Sequence, residues 1–157
     1  MAWHHRLIGT AARFYWRLRK PRTLGVRAVV LDKDDRVALV RHTYTDSWYL
    51  PGGGVKKGES FETALFRELR EEVALSHVSI ERIVGIYHSR REAKDDHIVI
   101  FAVRLTGEHT PDIRPADAME IADVRWFPLD ALPDTVSPAT GRRIAEYRSG
   151  MVGSGTW

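Results

Sequence analysis

A short glutamate-rich segment carries the side chains best suited to chemistry. Glu68, Glu71 and Glu72 lie on a predicted helix, Arg67 lies beside them, and Glu59 comes just before the helix. At about 100° per residue, Glu68 and Glu72 lie one turn apart on the same helical face. Because like charges repel each other and lose solvation beside apolar residues, two carboxylates there need a compensating charge. A divalent cation is the simplest source of that charge.

The same helix has an apolar stripe typical of a surface that packs on a core. Its members recur at helical spacing: Phe61, Leu65, Leu69 and Val73. Glu68 and Glu72 lie within or beside this stripe. The alternative interpretation is a solvated face whose acids are balanced by Arg67 and Arg70, as charge runs usually are. That alternative does not explain why two of the acids lie toward the apolar side.

The glycine-rich turn and the spacing of the acids resemble the Nudix box, the signature of the Nudix hydrolase family. Residues 53–75 read GGVKKGESFETALFRELREEVAL and match that signature at every fixed position but one. The exception is Ala74, where the family normally has a glycine that turns the chain with positive φ. We expect this difference to affect only the path of residues 74–78. Residues 50–55 and 120–127 also resemble the family.

The resemblance implies an α/β fold, in which an α/β/α sandwich holds the box against a mixed β-sheet. We predict strands at 25–31, 36–41, 79–88, 97–105 and 121–127, the box helix from Phe61, and a last helix at 137–148. The domain is expected to span residues 24–149, with a loose tail at 150–157. An extra basic amphipathic helix is predicted in residues 1–23, outside the resemblance. Packing on the domain is the favoured role of that helix, and binding to a surface or subunit is the alternative.

The family also implies an activity and a metal site. The expected reaction is Mg²⁺-dependent hydrolysis of a pyrophosphate linkage in a nucleoside diphosphate joined to another moiety, with Mn²⁺ as a substitute metal. Glu68 and Glu72 are then the principal metal ligands, Glu71 is a further ligand, and the Gly53 carbonyl contributes. Such oxygen ligands suit a hard cation.

Two roles next to the metal follow from the same resemblance. Arg67 is expected to orient Glu71 or Glu59 by ion pairing rather than to touch substrate. Either Glu68 or Glu120 is the candidate general base, and the alternative for Glu120 is a surface acid at the edge of a strand. The catalytic set is therefore Glu68, Glu71, Arg67 and Glu120.

Substrate recognition is less specified by the sequence. Five residues that precede the box are candidates for framing the pocket, with cations for phosphate and a ring for stacking on a base: Arg41, His42, Tyr44, Trp48 and Tyr49. Each has a structural alternative, and for Trp48 and Tyr49 packing is the favoured interpretation. Three histidines show no ligand spacing and are interpreted as neutral and hydrogen-bonded: His42, His88 and His97.

Several functions are compatible with the box. Within the enzyme class, the alternatives are an RNA 5′-pyrophosphohydrolase and an enzyme that removes oxidised nucleotides from the nucleotide pool. A non-catalytic Nudix-fold sensor of nucleotides or RNA is an alternative from another class. Its usual mark is the loss of box carboxylates, which this chain retains. RNA is an open partner, because the basic N-terminal segment suits a phosphate backbone, and a homodimer is another open possibility.

Composition bounds the remaining classes. At 157 residues and 43% hydrophobic content, the chain is long enough for one domain with a proper core. It has no cysteine, which excludes disulfides, thiolate ligands and a cysteine nucleophile. We expect a cytoplasmic protein, since no apolar run approaches the roughly 20 residues that span a bilayer. The net charge of +3 arises from the basic N-terminal segment, so it says little about the proposed site.

Overall fold

The computed structural model describes residues 22–90, 95–107 and 109–157. The predicted N-terminal helix lies outside the described residues. Within the described residues, a seven-stranded mixed sheet is flanked by two helices, which confirms the predicted α/β fold class. The elements are β1 (Arg22–Leu31), β2 (Arg36–His42), β3 (Trp48–Tyr49), α1 (Phe61–Val73), β4 (Val78–Ser89), β5 (Asp95–Leu105), β6 (Ile121–Pro128), α2 (Pro138–Arg148) and β7 (Gly153–Thr156).

The sheet has the strand order β3-β2-β1-β5-β4-β7, and β6 also pairs with β2. β1 runs parallel to β5 at the centre, while β2 is antiparallel to β1, β3 and β6. The pairing of β2 with β6 shifts register between Arg41 and His42. Such an irregularity re-aims the side chains beside it. This part of β2 lies next to the glutamate-rich helix and matters for the site.

Alternation along β1 divides the core into two sides. Val26, Ala28 and Val30 belong to the cluster that contains the apolar residues of α1, which we call the α1 side. Val29 and Leu31 belong to the opposite cluster, which contains Ile144 of α2 and which we call the α2 side. The period of two in a strand produces this division, so the sheet is buried between the two helices.

Helix α1 begins as its sequence predicts. The hydroxyl oxygen of Ser60 accepts a hydrogen bond of 3.0 Å from the Thr63 amide, which is the geometry of an N-cap. At the other end, Ala74 takes the left-handed conformation with φ of 58°. The Leu75 amide then donates to the Leu69 carbonyl at 3.1 Å. Alanine therefore makes the turn that glycine normally makes, at some cost in backbone strain.

The C-terminal residues differ from the prediction of a loose tail. Gly153–Thr156 form β7, which pairs in parallel with β4, and the Trp157 amide donates to the His88 carbonyl at 2.9 Å. The sequence of β7 has no apolar alternation and therefore no strand signal. Its glycines instead permit close approach, because a Cβ on Gly153 would collide with the Tyr87 hydroxyl. Backbone pairing and the final tryptophan hold this strand.

Candidate active site

Arg67 holds three of the predicted site glutamates. Its Nε and Nη2 donate to the two carboxylate oxygens of Glu59 at 2.7 and 2.8 Å. Its Nη1 donates to Glu68 at 2.6 Å and to Glu71 at 3.1 Å, and Nη2 also reaches the Gly54 carbonyl at 2.9 Å. Hydrogen bonding to Arg67 is the largest cause that lowers the pKa of Glu59 to about 2. Arg67 thus contacts both glutamates that the sequence names as its partners, and Glu68 in addition.

Glu72 lies deeper than its neighbours. It is 6% exposed, and one of its oxygens accepts a hydrogen bond of 2.7 Å from the Gly52 amide. Burial is the main cause that raises the pKa of Glu72 to about 7, although the positive charge of Arg27 opposes this shift. A buried carboxylate beside a helical stripe of apolar residues is costly unless it meets a cation. Its position is therefore better suited to binding than to stability.

Gly53 allows Glu68 to lie against the glycine-rich turn. A Cβ at Gly53 would lie only 2.6 Å from a Glu68 carboxylate oxygen, so any side chain there would displace the glutamate. The Gly53 carbonyl, predicted as a metal ligand, accepts a hydrogen bond of 2.9 Å from the Val26 amide. The turn is thereby fixed to β1 with its backbone close to the acids.

Four predicted site acids converge on one open cavity of about 230 Å³. Glu120 reaches it from the residue before β6, and its backbone carbonyl accepts a hydrogen bond of 2.9 Å from the Thr43 amide. An additional acid that sequence reasoning missed, Asp117, also lines this cavity. The complete lining is Glu68, Glu71, Glu72, Ala116, Asp117, Glu120 and Ile121. Clustered carboxylate oxygens are the donors that hard divalent cations prefer.

His42, which the sequence suggests as a pocket residue but not as a metal ligand, lies beside these acids. It is 6% exposed, and one of its ring nitrogens lies within 4.8 Å of carboxylate oxygens of Glu72 and Glu120. Burial is the main cause that lowers the pKa of His42, so the ring is neutral. Neutrality agrees with the sequence interpretation. The expected hydrogen bonding does not hold for Nδ1, which is buried and has no partner among the described residues.

A signal for His42 was present in the alternation of β2. Ala38 and Val40 pack on the α1 side, and His42 continues their period of two. The spacing rules for metal ligands look for pairs close in sequence, whereas His42 meets its acidic neighbours only through tertiary contacts.

Of the candidate substrate residues, Tyr44 lies in a different place from Arg41 and Trp48. Trp48 is 6% exposed and packs edge-on against Phe127, at 5.0 Å between ring centroids, on the α2 side. Arg41 pairs with Asp123 at 3.9 Å, and its guanidinium lies 5.8 Å from the centroid of the Trp48 ring. Tyr44 is 78% exposed and stacks on His42 at 5.2 Å. Tyr44 therefore borders the acidic cluster, whereas Arg41 and Trp48 contact each other, and their roles in a substrate pocket stay predictions.

Residues 21–147 match the NUDIX domain, so the chain belongs to the Nudix family. It is a hydrolase that acts on phosphorus-containing acid anhydrides. One relative is the Bacillus subtilis protein named "Putative 8-oxo-dGTP diphosphatase", which is 30% identical over 128 residues, or 82% of this chain and 81% of that protein. Another is the RNA pyrophosphohydrolase of Pelagibacter ubique, 38% identical over 127 residues, or 71% of this chain and 80% of that protein.

A solved structure supports the same fold. The MutT protein of Methanosarcina mazei superposes with a TM-score of 0.68 and 23% identity, over 83% of this chain and 96% of that one. At that identity, the likeness concerns the fold alone. Within the part of the chain that the structure describes, no helix is long and apolar enough to cross a membrane.

Proposed function

We propose that this Nudix hydrolase cleaves the pyrophosphate linkage of a nucleoside diphosphate joined to another moiety, with Mg²⁺ as its metal and Mn²⁺ as a substitute. The observation that carries the proposal is the convergence of Glu68, Glu71, Glu72 and Glu120 on one open cavity. So many carboxylates in one place repel a polyphosphate unless cations lie between them. The negative charge of the cavity therefore argues for metal-assisted binding of an anionic substrate.

The residues present fit a divalent cation. Glu68 and Glu72 would be its principal ligands, with Glu71 and the Gly53 carbonyl as further oxygen donors. The deep burial of Glu72, with a single amide donor from Gly52 among the described residues, leaves carboxylate lone pairs for a cation. When bound, the metal supplies charge neutralisation at the phosphate oxygens and Lewis acidity at phosphorus.

Arg67 acts as a positioning residue in this proposal. All three of its nitrogen atoms are occupied by Glu59, Glu68, Glu71 and the Gly54 carbonyl. A guanidinium held in this way keeps the glutamates in place before substrate arrives, which is the contribution expected of groups around a metal site.

Glu120 is the better candidate for the general base. Its carboxylate is exposed at the cavity and accepts no hydrogen bond from the described residues. One Glu68 oxygen, in contrast, already accepts from Arg67 at 2.6 Å. We infer that Glu120 takes the proton of the water that attacks phosphorus, while the other phosphate leaves with the bridging oxygen.

Product release with a matched set of variants tests the function. The substrates are 8-oxo-dGTP, unmodified nucleoside triphosphates, a nucleotide sugar and 5′-triphosphate RNA, each with Mg²⁺. We expect hydrolysis by the wild type and by Glu62→Gln, an exposed acid in the first turn of α1. We expect at least about a 100-fold loss for Glu72→Gln and Glu120→Gln. A wild type that binds these nucleotides but is as inactive as Glu72→Gln would instead be a non-catalytic sensor.

Rates on the same substrates also show which of two substrate classes the enzyme prefers. The names of the two relatives favour an oxidised nucleotide or the 5′ end of RNA as substrate. The exposed ring of Tyr44 beside the cavity offers a stacking surface for a base in either case. Tyr44→Ala should raise KM for the preferred nucleotide more than it lowers kcat. A cytoplasmic location and a homodimer stay predictions.

A further inference from the structure

His42 stands out as a donor that an oxygen-only magnesium site does not need. We propose that His42, Glu72 and Glu120 form a mixed imidazole and carboxylate site that binds a first-row transition-metal dication in preference to Mg²⁺, and Mn²⁺ is the paramagnetic member of that series used here to detect it. This inference extends the proposed function, on which it rests for its catalytic meaning. The site adjoins the oxygen-only set of ligands and shares Glu72 with it. When this site is filled, one oxygen of Glu120 is a ligand and the other is the atom left to accept a proton.

The three donors come from separate elements that meet at one point. His42 ends β2, Glu72 lies in the last turn of α1, and Glu120 precedes β6. One ligand atom from each lies within 4.8 Å of the others. Ligands that share a first-row dication lie at about 2.0 to 2.2 Å from it, and so at about 3 to 4.4 Å from one another. Small side-chain rotations therefore suffice to close the site.

The ring of His42 is positioned but not satisfied. Its Nδ1 is buried and has no hydrogen-bond partner among the described residues, although buried polar atoms in folded proteins almost always have one. Stacking with Tyr44 at 5.2 Å and a tilted contact with Tyr49 at 5.8 Å restrict the ring. An imidazole that is held in place beside two carboxylates, with one ring nitrogen unpartnered within the described part of the chain, points to a ligand that completes the group.

The chemistry of the donor set selects the class of metal. Mg²⁺ prefers oxygen ligands and dehydrates reluctantly. Imidazole instead suits Zn²⁺, Fe²⁺, Ni²⁺ and Cu²⁺, and Mn²⁺, which mostly takes oxygen ligands, has the least to gain from it in this series. Two carboxylates and a neutral imidazole also balance the charge of one dication. Among the described residues, the set with His42 therefore adds to the oxygen ligands a nitrogen donor that favours a transition metal over Mg²⁺.

Mn²⁺ itself is the probe that tests this inference. Electron spin echo measurements on the full chain with one equivalent of Mn²⁺ should show coupling to a ¹⁴N nucleus, which becomes ¹⁵N coupling after labelling with ¹⁵N-histidine. The coupling should vanish in His42→Gln and persist in His77→Gln, an exposed histidine after α1. By calorimetry, His42→Gln should weaken Mn²⁺ binding by about tenfold or more and change Mg²⁺ affinity less than about twofold.

Each outcome bears on the inference separately from the enzyme activity. Absence of nitrogen coupling in the wild type, or equal loss of Mn²⁺ and Mg²⁺ affinity in His42→Gln, would overturn the mixed site even if Mg²⁺ supports hydrolysis. Nitrogen coupling in a protein that hydrolyses no pyrophosphate substrate would keep the site and reject the proposed reaction. If His42→Gln does not fold, selective broadening of the His42 ring resonances by Mn²⁺ in the wild type decides the question.

Discussion

Two arginines organise glutamates on opposite sides of the sheet, and they do so in different ways. Arg67 on the α1 side contacts three carboxylates beside an open cavity. Arg143 on the α2 side is 3% exposed and pairs with one carboxylate, that of Glu146, at 2.7 Å. Its guanidinium also lies 3.6 Å from the centroid of the Tyr87 ring and 5.8 Å from that of Trp157. The Arg67 cluster has more negative than positive charges, whereas in the Arg143 cluster one arginine pairs with one glutamate.

The difference separates a binding device from a structural one. Excess charge of one sign repels itself and destabilises the folded chain, so it is retained where a ligand of opposite sign compensates. The Arg143 cluster has no excess charge to compensate, because its acid is paired and Tyr87 donates a hydrogen bond to Glu146, although the buried Nε of Arg143 has no partner among the described residues. It joins α2 to β4 and to the C-terminal residues. Variants on the α1 side should therefore reduce activity, and variants on the α2 side should reduce stability.

Replacing Glu72 by glutamine should have the largest effect, because it should lower activity while it raises the stability of the metal-free protein. We expect kcat/KM to fall at least about 100-fold, because a metal ligand is lost. The metal-free protein should become more stable above pH 7. Burial raises the pKa of Glu72 to about 7, so the ionised side chain destabilises the fold as pH rises through that value. Urea unfolding with EDTA at pH 8 measures this, and a less stable variant would contradict the assignment.

Replacing Arg67, which holds three glutamates by hydrogen bonds, should reduce activity by about 10- to 100-fold. Arg67→Gln frees the carboxylates that the guanidinium holds, and Arg67→Lys should recover little, since one ammonium cannot match a fork that binds Glu59 through two bonds. The concentration of Mg²⁺ needed for half-maximal rate should rise in both variants. Arg70→Gln, an exposed position of the same helix, serves as the control. Unchanged Mg²⁺ dependence in Arg67→Gln would reject a positioning role.

Breaking the α2 cluster should lower stability with little effect on the chemistry. Arg143→Met leaves Glu146 without its partner in a largely buried place, and we expect the free energy of unfolding to fall by about 2 kcal/mol. The value of kcat/KM per folded molecule should stay within about twofold. Arg142→Met, at the exposed neighbouring position, should change neither quantity. A large loss of activity in folded Arg143→Met would erase the distinction between the two sides.

The sequence predicted the α1 side well because its signals are local. Helical periodicity and the Ser60 cap specify where α1 lies, and the spacing of Glu68 and Glu72 specifies which face they share. Alternation along β2 indicates which side His42 faces, but its approach to Glu72 and Glu120 depends on tertiary contacts that local spacing does not reveal. Trp48 belongs to a strand of two residues, too short for alternation to indicate which side it faces. Long-range pairing, which local patterns do not encode, accounts for these differences.

The two sides should also respond to opposite extremes of pH. Hydrogen bonding to Arg67 lowers the pKa of Glu59 from 4.5 to about 2, so its contribution to stability is full above pH 4.5 and is lost as pH falls toward 2. Burial, followed by the bond to Glu146, raises the pKa of Tyr87 from 10.0 to about 12, so its contribution is full below pH 10 and is lost as pH rises through 12.

Urea unfolding across pH measures both effects. Glu59→Gln should flatten the acid limb alone, and Tyr87→Phe should flatten the alkaline limb alone. If Glu59→Gln left the acid limb unchanged, its pairing with Arg67 would not contribute to stability in solution.

The smallest effect concerns how the two helices end. α1 ends at Ala74 with φ of 58°, whereas α2 is followed by Gly150 with φ of 70°. A left-handed alanine costs about 1 kcal/mol. Glycine removes this strain but makes the unfolded chain more flexible, which offsets part of the gain, so Ala74→Gly should raise the free energy of unfolding by about 0.5 kcal/mol. Gly150→Ala should lower the free energy of unfolding by a similar amount. The cause would be backbone strain alone, because a Cβ at this position meets no atom of the described residues within 4 Å. Equal activity in both variants, with opposite shifts in the urea midpoint of unfolding, would show that the C-terminal ends of α1 and α2 affect stability and not catalysis. A drop in kcat for Ala74→Gly would instead tie the end of α1 to the placement of Glu72.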